Sequence, residues 1–240
     1  MIDLRLGDCL EVMKTIETGS IDAIITDPPY GTTSCKWDSV IDFELMWQQL
    51  HRIVKPNGAI VMFGSQPFTS MLISSNVNNF RYEWVWNKSK ASNFVQVKYA
   101  PLKDHENILV FGLSKTQYNP QMTEGKPYYK GKATGSVEFT GRPRTNNVNK
   151  GTRYPKTVQR FTTAEREGKF HPTQKPILLM EYLVKTYTNE GETVLDFTMG
   201  SGTTGVAAKN LNRNFIGIEL DQKYFNIAEQ RIKETEFKLF

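Results

Sequence analysis

Hydrophobic positions along the chain fall into two alternating kinds of run, and the alternation predicts an α/β fold. Ile21–Thr26, Ala59–Phe63, Thr193–Phe197 and Phe215–Glu219 are short, nearly continuous apolar stretches, the pattern expected of parallel strands buried on both faces. Between them apolar residues recur at helical spacing, first at Phe43, Met46, Trp47, Leu50, Ile53 and Val54, later at Ile177, Leu178, Leu179, Tyr182 and Leu183. Asp8 and Asp221 stand where they would cap helices running to about Ile16 and Lys233. Pro176 opens one helix, and Lys55-Pro56-Asn57-Gly58 closes another. A short strand at Leu4–Leu6, a short helix near Phe68–Ser75 and two strands of a more antiparallel region, Tyr82–Trp86 and Asn107–Phe111, complete the set. The expected architecture is a Rossmann-like, mainly parallel, doubly wound sheet covered on both faces.

One segment breaks this rhythm. Residues 114–170 show no clear period and carry 12 Lys/Arg against 4 Asp/Glu, a local excess of +8 that leaves the rest of the chain at −3. Tyr118, Tyr128, Tyr129, Phe139, Tyr154, Phe161 and Phe170 are interleaved with the basic residues. Basic side chains mixed with aromatics suit a polyanion with stackable bases, and a solvated loop has the same composition. The expected organisation is a core domain from residues 1–113 and 171–240, interrupted by a 114–170 insertion. The 240 residues are ample for one such core. Cys9, Cys35 and three scattered histidines give neither a disulfide framework nor metal-ligand spacing. The absence of a membrane-length apolar run and of a signal-peptide layout leads to the expectation of a reduced, cytoplasmic protein.

Two turns carry the candidate chemistry. Gly200-Ser201-Gly202-Thr203-Thr204-Gly205 follows a strand and opens a helix, and Glu219 ends the next strand. Glycines there allow a tight turn and close backbone approach to a ligand, while Glu219 can accept from both hydroxyls of a ribose. A glycine turn that merely packs its helix is the plainer alternative. Because only one strand and one helix follow Glu219, the rest of the sheet comes from residues 1–112, in permuted order. Asp27-Pro28-Pro29-Tyr30 lies at the end of a buried strand, the ligand edge of an open α/β sheet. The Asp27 carboxylate and Pro28 carbonyl offer convergent acceptors and Tyr30 an aromatic face, which fits an exocyclic amino group on a planar base. A rigid capped loop is the alternative there.

The combination of LRLGDCLEVM, IITDPPYG, LHRIVKPNGAIVMFG, EWVWNK, HENILVFG, HPTQKPILLMEYLVKTYT and VLDFTMGSGTTGVA resembles the S-adenosylmethionine-dependent amino-methyltransferases of DNA. The order, with Asp-Pro-Pro-Tyr before the glycine motif and a basic region between, is that of beta-class adenine-N6 enzymes. The resemblance covers nearly the whole chain outside 114–170. It implies that Asp27 and the Pro28 carbonyl bind the target amino group, that Pro29 shapes the turn, and that Tyr30 stacks on a flipped base. It implies a cofactor site of Asp196, Gly200, Ser201, Gly202, Thr203 and Glu219, with Asp8 at the adenine end and Lys175 pairing with the methionine carboxylate. The family's Asp-Pro-Phe is here Asp196-Phe197-Thr198, which shifts the aromatic by one residue and leaves Phe197 without an assigned contact.

The activity so implied is methyl transfer to adenine N6 in double-stranded DNA, with 114–170 as target-recognition region and Arg142, Arg144, Lys150 and Arg153 as DNA contacts. Methylation of cytosine N4 is the nearest alternative, since the same acceptors hold that amino group. A nicotinamide-dependent oxidoreductase explains the glycine turn but not Asp27–Tyr30, and a DNA-binding module without catalysis leaves both turns idle. The resemblance also implies a homodimer and a cognate restriction endonuclease as partners.

Overall fold

The computed structural model describes residues 1–32, 38–130, 147–164, 168 and 170–235. Two compact units result: Met1–Asn119 with Thr157–Phe240, and Pro120–Lys156. The smaller unit therefore starts later and ends earlier than the compositional boundaries of 114 and 170.

The larger unit is built on an eight-stranded sheet. Its strands are β1 (Ile2–Leu6), β2 (Ile21–Thr26), β3 (Val54–Gly64), β4 (Phe80–Ser92), β5 (Lys103–Phe111), β10 (Val158–Phe161), β11 (Thr193–Asp196) and β12 (Asn214–Glu219). Their order is β1-β12-β11-β2-β3-β5-β4-β10, with β5 alone antiparallel to its neighbours. The helices are α1 (Cys9–Met13), α2 (Phe43–Ile53), α3 (Phe68–Ser75), α4 (Ile177–Tyr187), α5 (Thr203–Asn210) and α6 (Gln222–Glu234).

Two hydrophobic clusters explain why the middles of the central strands are apolar on both faces. Ala23, Ile25, Val61 and Phe63 face α4, α5 and α6, while Ile24, Ile60 and Met62 face α1, α2 and α3. Each strand contributes alternate residues to both clusters, so polar side chains such as Asp22, Thr26 and Asp196 sit at or next to the strand ends. The helices follow their caps: Asp42 accepts from Leu45 N (2.9 Å) and Asp221 from Lys223 N (2.8 Å).

Several expected boundaries move, for identifiable reasons. Helix α1 ends at Met13 rather than near Ile16: the chain tightens there, with Thr15 N and Ile16 N bonding the Val12 and Met13 carbonyls (3.0 Å each), and the Arg52 guanidinium holds the Met13 and Ile16 carbonyls at 2.8 Å. Helix α2 stops at Ile53, just before the Lys55–Gly58 segment as expected, and that segment also forms the irregular start of β3. β4 and β5 are much longer than their apolar centres. Their outer ends are polar and exposed, and the antiparallel ladder alone defines them.

The smaller unit contains two short antiparallel pairs. β6 (Thr123–Glu124) pairs with β9 (Thr152–Arg153), and β7 (Tyr128–Lys130) with β8 (Asn147–Asn149). Among the described residues no helix is long and apolar enough to cross a membrane, and no His/Cys/Asp/Glu cluster could hold a metal ion.

Candidate active site

The strands β11 and β2 are neighbours, yet the chain leaves them in opposite directions: β11 leads into α5 on one face and β2 toward α2 on the other. That divergence opens a crevice at their carboxyl ends, where open α/β sheets bind ligands. A cavity of about 370 Å³ occupies it. Asp27, Pro28, Pro29 and Tyr30 line it together with Asp8, Lys175, Asp196, Gly200, Ser201, Thr203 and Glu219. Residues nearly two hundred positions apart in sequence thus share one wall.

The glycine turn is shaped from three sides. Gly200 has φ +52° and donates its N–H to Glu219 Oε2 (2.8 Å), whose other oxygen accepts from Asp221 N (2.8 Å). A Cβ on Gly200 would meet only the His171 ring, at 3.8 Å, so the turn requires its backbone conformation and leaves the space above it open. Gly202 is different. It is the left-handed N-cap of α5, does not line the cavity, and a Cβ there would lie 2.8 Å from Ala228 Cβ. The sequence expectation of ligand approach at Gly202 gives way to close packing of α5 on α6. Arg231 of α6, which no motif singled out, donates to the Ser201 carbonyl (2.5 Å) and hydroxyl (3.0 Å). Asp8 caps α1 through Leu10 N (2.8 Å) and lines the cavity as well, so its two expected roles coexist.

The Asp27–Tyr30 turn is fixed by a residue the sequence did not flag. Asp38 accepts three successive backbone N–H groups, from Tyr30 (2.7 Å), Gly31 (2.8 Å) and Thr32 (2.9 Å). The Tyr30 ring stacks on Phe68 at 5.0 Å between centroids, and its hydroxyl donates to Asp27 Oδ1 (2.5 Å). Cys35, in the loop beyond, lies outside the described residues.

Behind this turn runs a buried chain of charges. The Lys175 ammonium bonds Asp27 Oδ2 and stands 3.6 Å from Glu106, which pairs with Lys88 at 2.5 Å. The expectation for Lys175 was a cofactor carboxylate. In the structure its partners are Asp27 and Glu106. Burial raises the Asp27 carboxyl above its ordinary value, with Lys175 opposing. Burial also disfavours charge on Glu106, yet Lys175 and Lys88 hold it below the usual range. Asp27 is accordingly the more basic of the two carboxylates, and so the better acceptor of a proton or hydrogen bond.

A second buried chain ties the two motifs together. Asp196 accepts from Thr26 Oγ1 (2.7 Å) and Thr204 Oγ1 (2.5 Å). The Thr26 hydroxyl lies 2.7 Å from that of Thr198, which donates to the Asp27 carbonyl (3.2 Å). Thr198 stands where the family has its aromatic, and here it bridges instead. Phe197 is buried in the core against the cavity floor.

Burial pushes the Asp196 carboxyl up to about 6, against these hydrogen bonds. Since the folded state holds this proton more tightly than the unfolded one, stability is present at low pH and lost as pH rises from about 4 to about 6, by roughly 3 kcal/mol. His171, pushed down to about 4 by burial, acts with the opposite sign. Comparing Asp196→Asn with wild type cancels it. The wild-type minus variant unfolding free energy is expected to fall by that amount between pH 4 and 7 in urea titrations, and a flat difference removes the assignment.

Residues 21–230 match the DNA methylase family. The chain belongs to that family. Among relatives of the methylase, the Type II methyltransferase M.HinfI of Haemophilus influenzae is 32% identical over 265 residues, covering 96% of this chain and 68% of that one. The Type II methyltransferase M.HpaI of Haemophilus parainfluenzae is 28% identical over 260 residues, covering 100% and 77%. The crystal structure of the M1.HpyAVI–SAM complex superposes with a TM-score of 0.66 at 29% identity, over 97% of the methylase and 99% of that chain. The PvuII DNA methyltransferase, cytosine-N4-specific, shares the fold at a TM-score of 0.71 and 14% identity, over 99% and 88%.

The four expected DNA contacts of the methylase all fall by number within the 120–156 unit. Arg142 and Arg144 fall outside the described residues. Lys150 is exposed. Arg153 has other employment: its guanidinium bonds Asn149 and the Lys126 carbonyl and lies 4.7 Å over the Tyr128 ring, holding that unit together.

Proposed function

We propose that the methylase transfers a methyl group from S-adenosylmethionine to the N6 amino group of an adenine flipped out of double-stranded DNA. The observation that carries this reading is the meeting, in one cavity, of the Asp27–Tyr30 turn with the Gly200–Glu219 turn.

The lining fits the donor. Six carboxylates (Asp8, Asp27, Asp38, Glu106, Asp196, Glu219) face one lysine in the described wall. That field favours a cationic sulfonium and opposes the pyrophosphate of a nicotinamide dinucleotide. Glu219 and Asp8 would hold the nucleoside end, and the open space over Gly200 admits close approach. When bound, the donor supplies an electrophilic methyl.

The chain's own part is positioning. Asp27 and the Pro28 carbonyl accept the two N–H bonds of the amino group, which turns its lone pair out of conjugation and toward the methyl. The Tyr30 face not covered by Phe68 stacks on the purine. Positive charge developing on the nitrogen is stabilised by the Asp27 carboxylate, whose proton affinity is raised by burial. Lys175 and Glu106 keep that carboxylate in place.

The leading aspartate supports adenine over cytosine. The reading extends to two companions: a second copy of the chain and a restriction endonuclease cutting the same site. Incubation with labelled donor and unmethylated genomic DNA, followed by digestion to nucleosides, is expected to give N6-methyladenine. Label in N4-methylcytosine, or none, overturns the reading.

A further inference from the structure

Beyond the cavity, the two most exposed apolar side chains among the described residues stand together at one place. Past the Gly64–Asn107 pair, where β3 stops, β4 and β5 run on through Asn87–His105 to Ser92–Lys103, with β10 beside β4 only as far as Lys88. At its tip Val95 is 95% exposed and Tyr99 91%, with Phe94 and Val97 more than half exposed. The tip is not slack. Asn93 sits in the left-handed region, and the N–H groups of Gln96, Val97, Tyr99 and Ala100 bond back to Asn93, Phe94, Gln96 and Gln96. The backbone is thus held in a form that presents these side chains outward.

Position and charge indicate what they meet. The hairpin leaves the sheet at its ligand edge, and its base is a wall of the active site: Lys88 of β4 pairs with Glu106 of β5, which lies against Lys175 beside Asp27. At about 3.3 Å per residue the tip stands up to about 20 Å beyond Asn87. Residues 88–103 contain four lysines and no acidic residue, and Lys90 and Lys98 are exposed next to the apolar tip. Four apolar side chains fall well short of the ~800 Å² per partner that a stable dimer buries. A cationic rim around an apolar point suits a duplex instead, with phosphates outside and stacked bases within.

We propose that the β4–β5 tip is a wedge that enters the duplex beside the flipped adenine, with Phe94 and Tyr99 replacing lost stacking and Lys90 and Lys98 holding the flanking phosphates. The inference rests on the adenine reading above. Extruding a base leaves a gap whose neighbours have lost a stacking partner, and apolar side chains at such gaps lower the cost of extrusion. The wedge matters only where a paired base must be opened, and that sets the test.

The target site is first located by sequencing DNA modified by the wild-type enzyme. The protein and Phe94→Ser/Tyr99→Ser are then compared on a matched duplex carrying that site and on the same duplex with an abasic position opposite the target adenine. The exposed substitutions are expected to leave the thermal midpoint unchanged. On the matched duplex kcat/KM is expected to fall roughly 10–100-fold. On the abasic duplex it is expected to return to within about threefold of wild type. Equal loss on both substrates, or none on either, overturns the wedge. So does equal loss accompanied by a change from dimer to monomer in sedimentation, which assigns the tip to a second copy. If the wild-type enzyme places no methyl on adenine, its own arm reveals that the underlying reading has failed, and the wedge falls with it.

Discussion

Replacing Asp27 by Asn is expected to lower the single-turnover rate of methyl transfer by about 10²–10³-fold while leaving cofactor affinity within a few-fold of wild type. The magnitude is that of removing one pre-positioned partner of a charge that develops only in the transition state. Asn keeps the volume and one acceptor, but with its oxygen on the Lys175 ammonium its NH2 takes the Oδ1 place, facing the Tyr30 hydroxyl and the amino group it should grip. The residues proposed to hold the cofactor, Glu219, Asp8 and Gly200, lie on other elements of the cavity wall, so the substitution leaves them in place. Removing one member of a buried ion pair also carries a stability cost of about 3–5 kcal/mol where the remaining charge is stranded. Here Lys175 keeps Glu106 at 3.6 Å, so the loss should be smaller and the protein should fold. Calorimetry of cofactor binding, a thermal midpoint and rapid-quench transfer on one duplex separate the three effects. Unchanged transfer would take Asp27 out of the mechanism. Transfer and cofactor affinity lost together would make its role structural. Tyr30→Phe, which removes only the 2.5 Å bond to Asp27 Oδ1, should cost less than Asp27→Asn.

The parts of this site that were legible in sequence are those whose chemistry is local. A strand buried on both faces is apolar along most of its length, so β2, β11 and β12 are readable from Ala23–Ile25, Val194 and Leu195, and Phe215–Ile218. A turn that needs glycine at Gly200, or two prolines after Asp27, is likewise written in consecutive letters. What escaped is what acts across the fold. Asp38 has no motif, and its function exists only because the chain returns to set its carboxylate under three N–H groups of the Tyr30 turn. Glu106 and Lys88 read as ordinary polar positions of an antiparallel ladder until Lys175 is brought to them from another element. Thr26 and Thr198 are separated by 172 positions, and nothing near either predicts that their hydroxyls meet. Gly202 shows the converse: its place in the motif suggested a ligand, whereas the Ala228 side chain, contributed by a helix 26 residues later, is what leaves no room for a Cβ.

Neutralising the basic insertion should have the other large effect, on DNA affinity and its salt dependence. Each phosphate contact contributes about 0.9 to the slope of log K against log salt, so Arg142→Gln, Arg144→Gln and Lys150→Gln together should flatten that slope by about 2–3 and weaken binding most at low salt. The rate at saturating DNA should change little, because a phosphate contact acts on binding rather than on the chemical step. Arg153 should behave otherwise. Its charge is spent on Asn149, the Lys126 carbonyl and the Tyr128 ring, so Arg153→Gln should lower protease resistance of the 120–156 unit more than it changes the slope for a folded protein. Filter binding on one duplex across a salt series, with limited proteolysis in parallel, distinguishes the two classes. If the triple variant keeps the wild-type slope, the phosphate contacts lie elsewhere, and Lys90 and Lys98 of the β4–β5 hairpin become the first positions to neutralise. If Arg153→Gln alone flattens the slope without loosening the unit, its guanidinium leaves these internal partners when DNA binds.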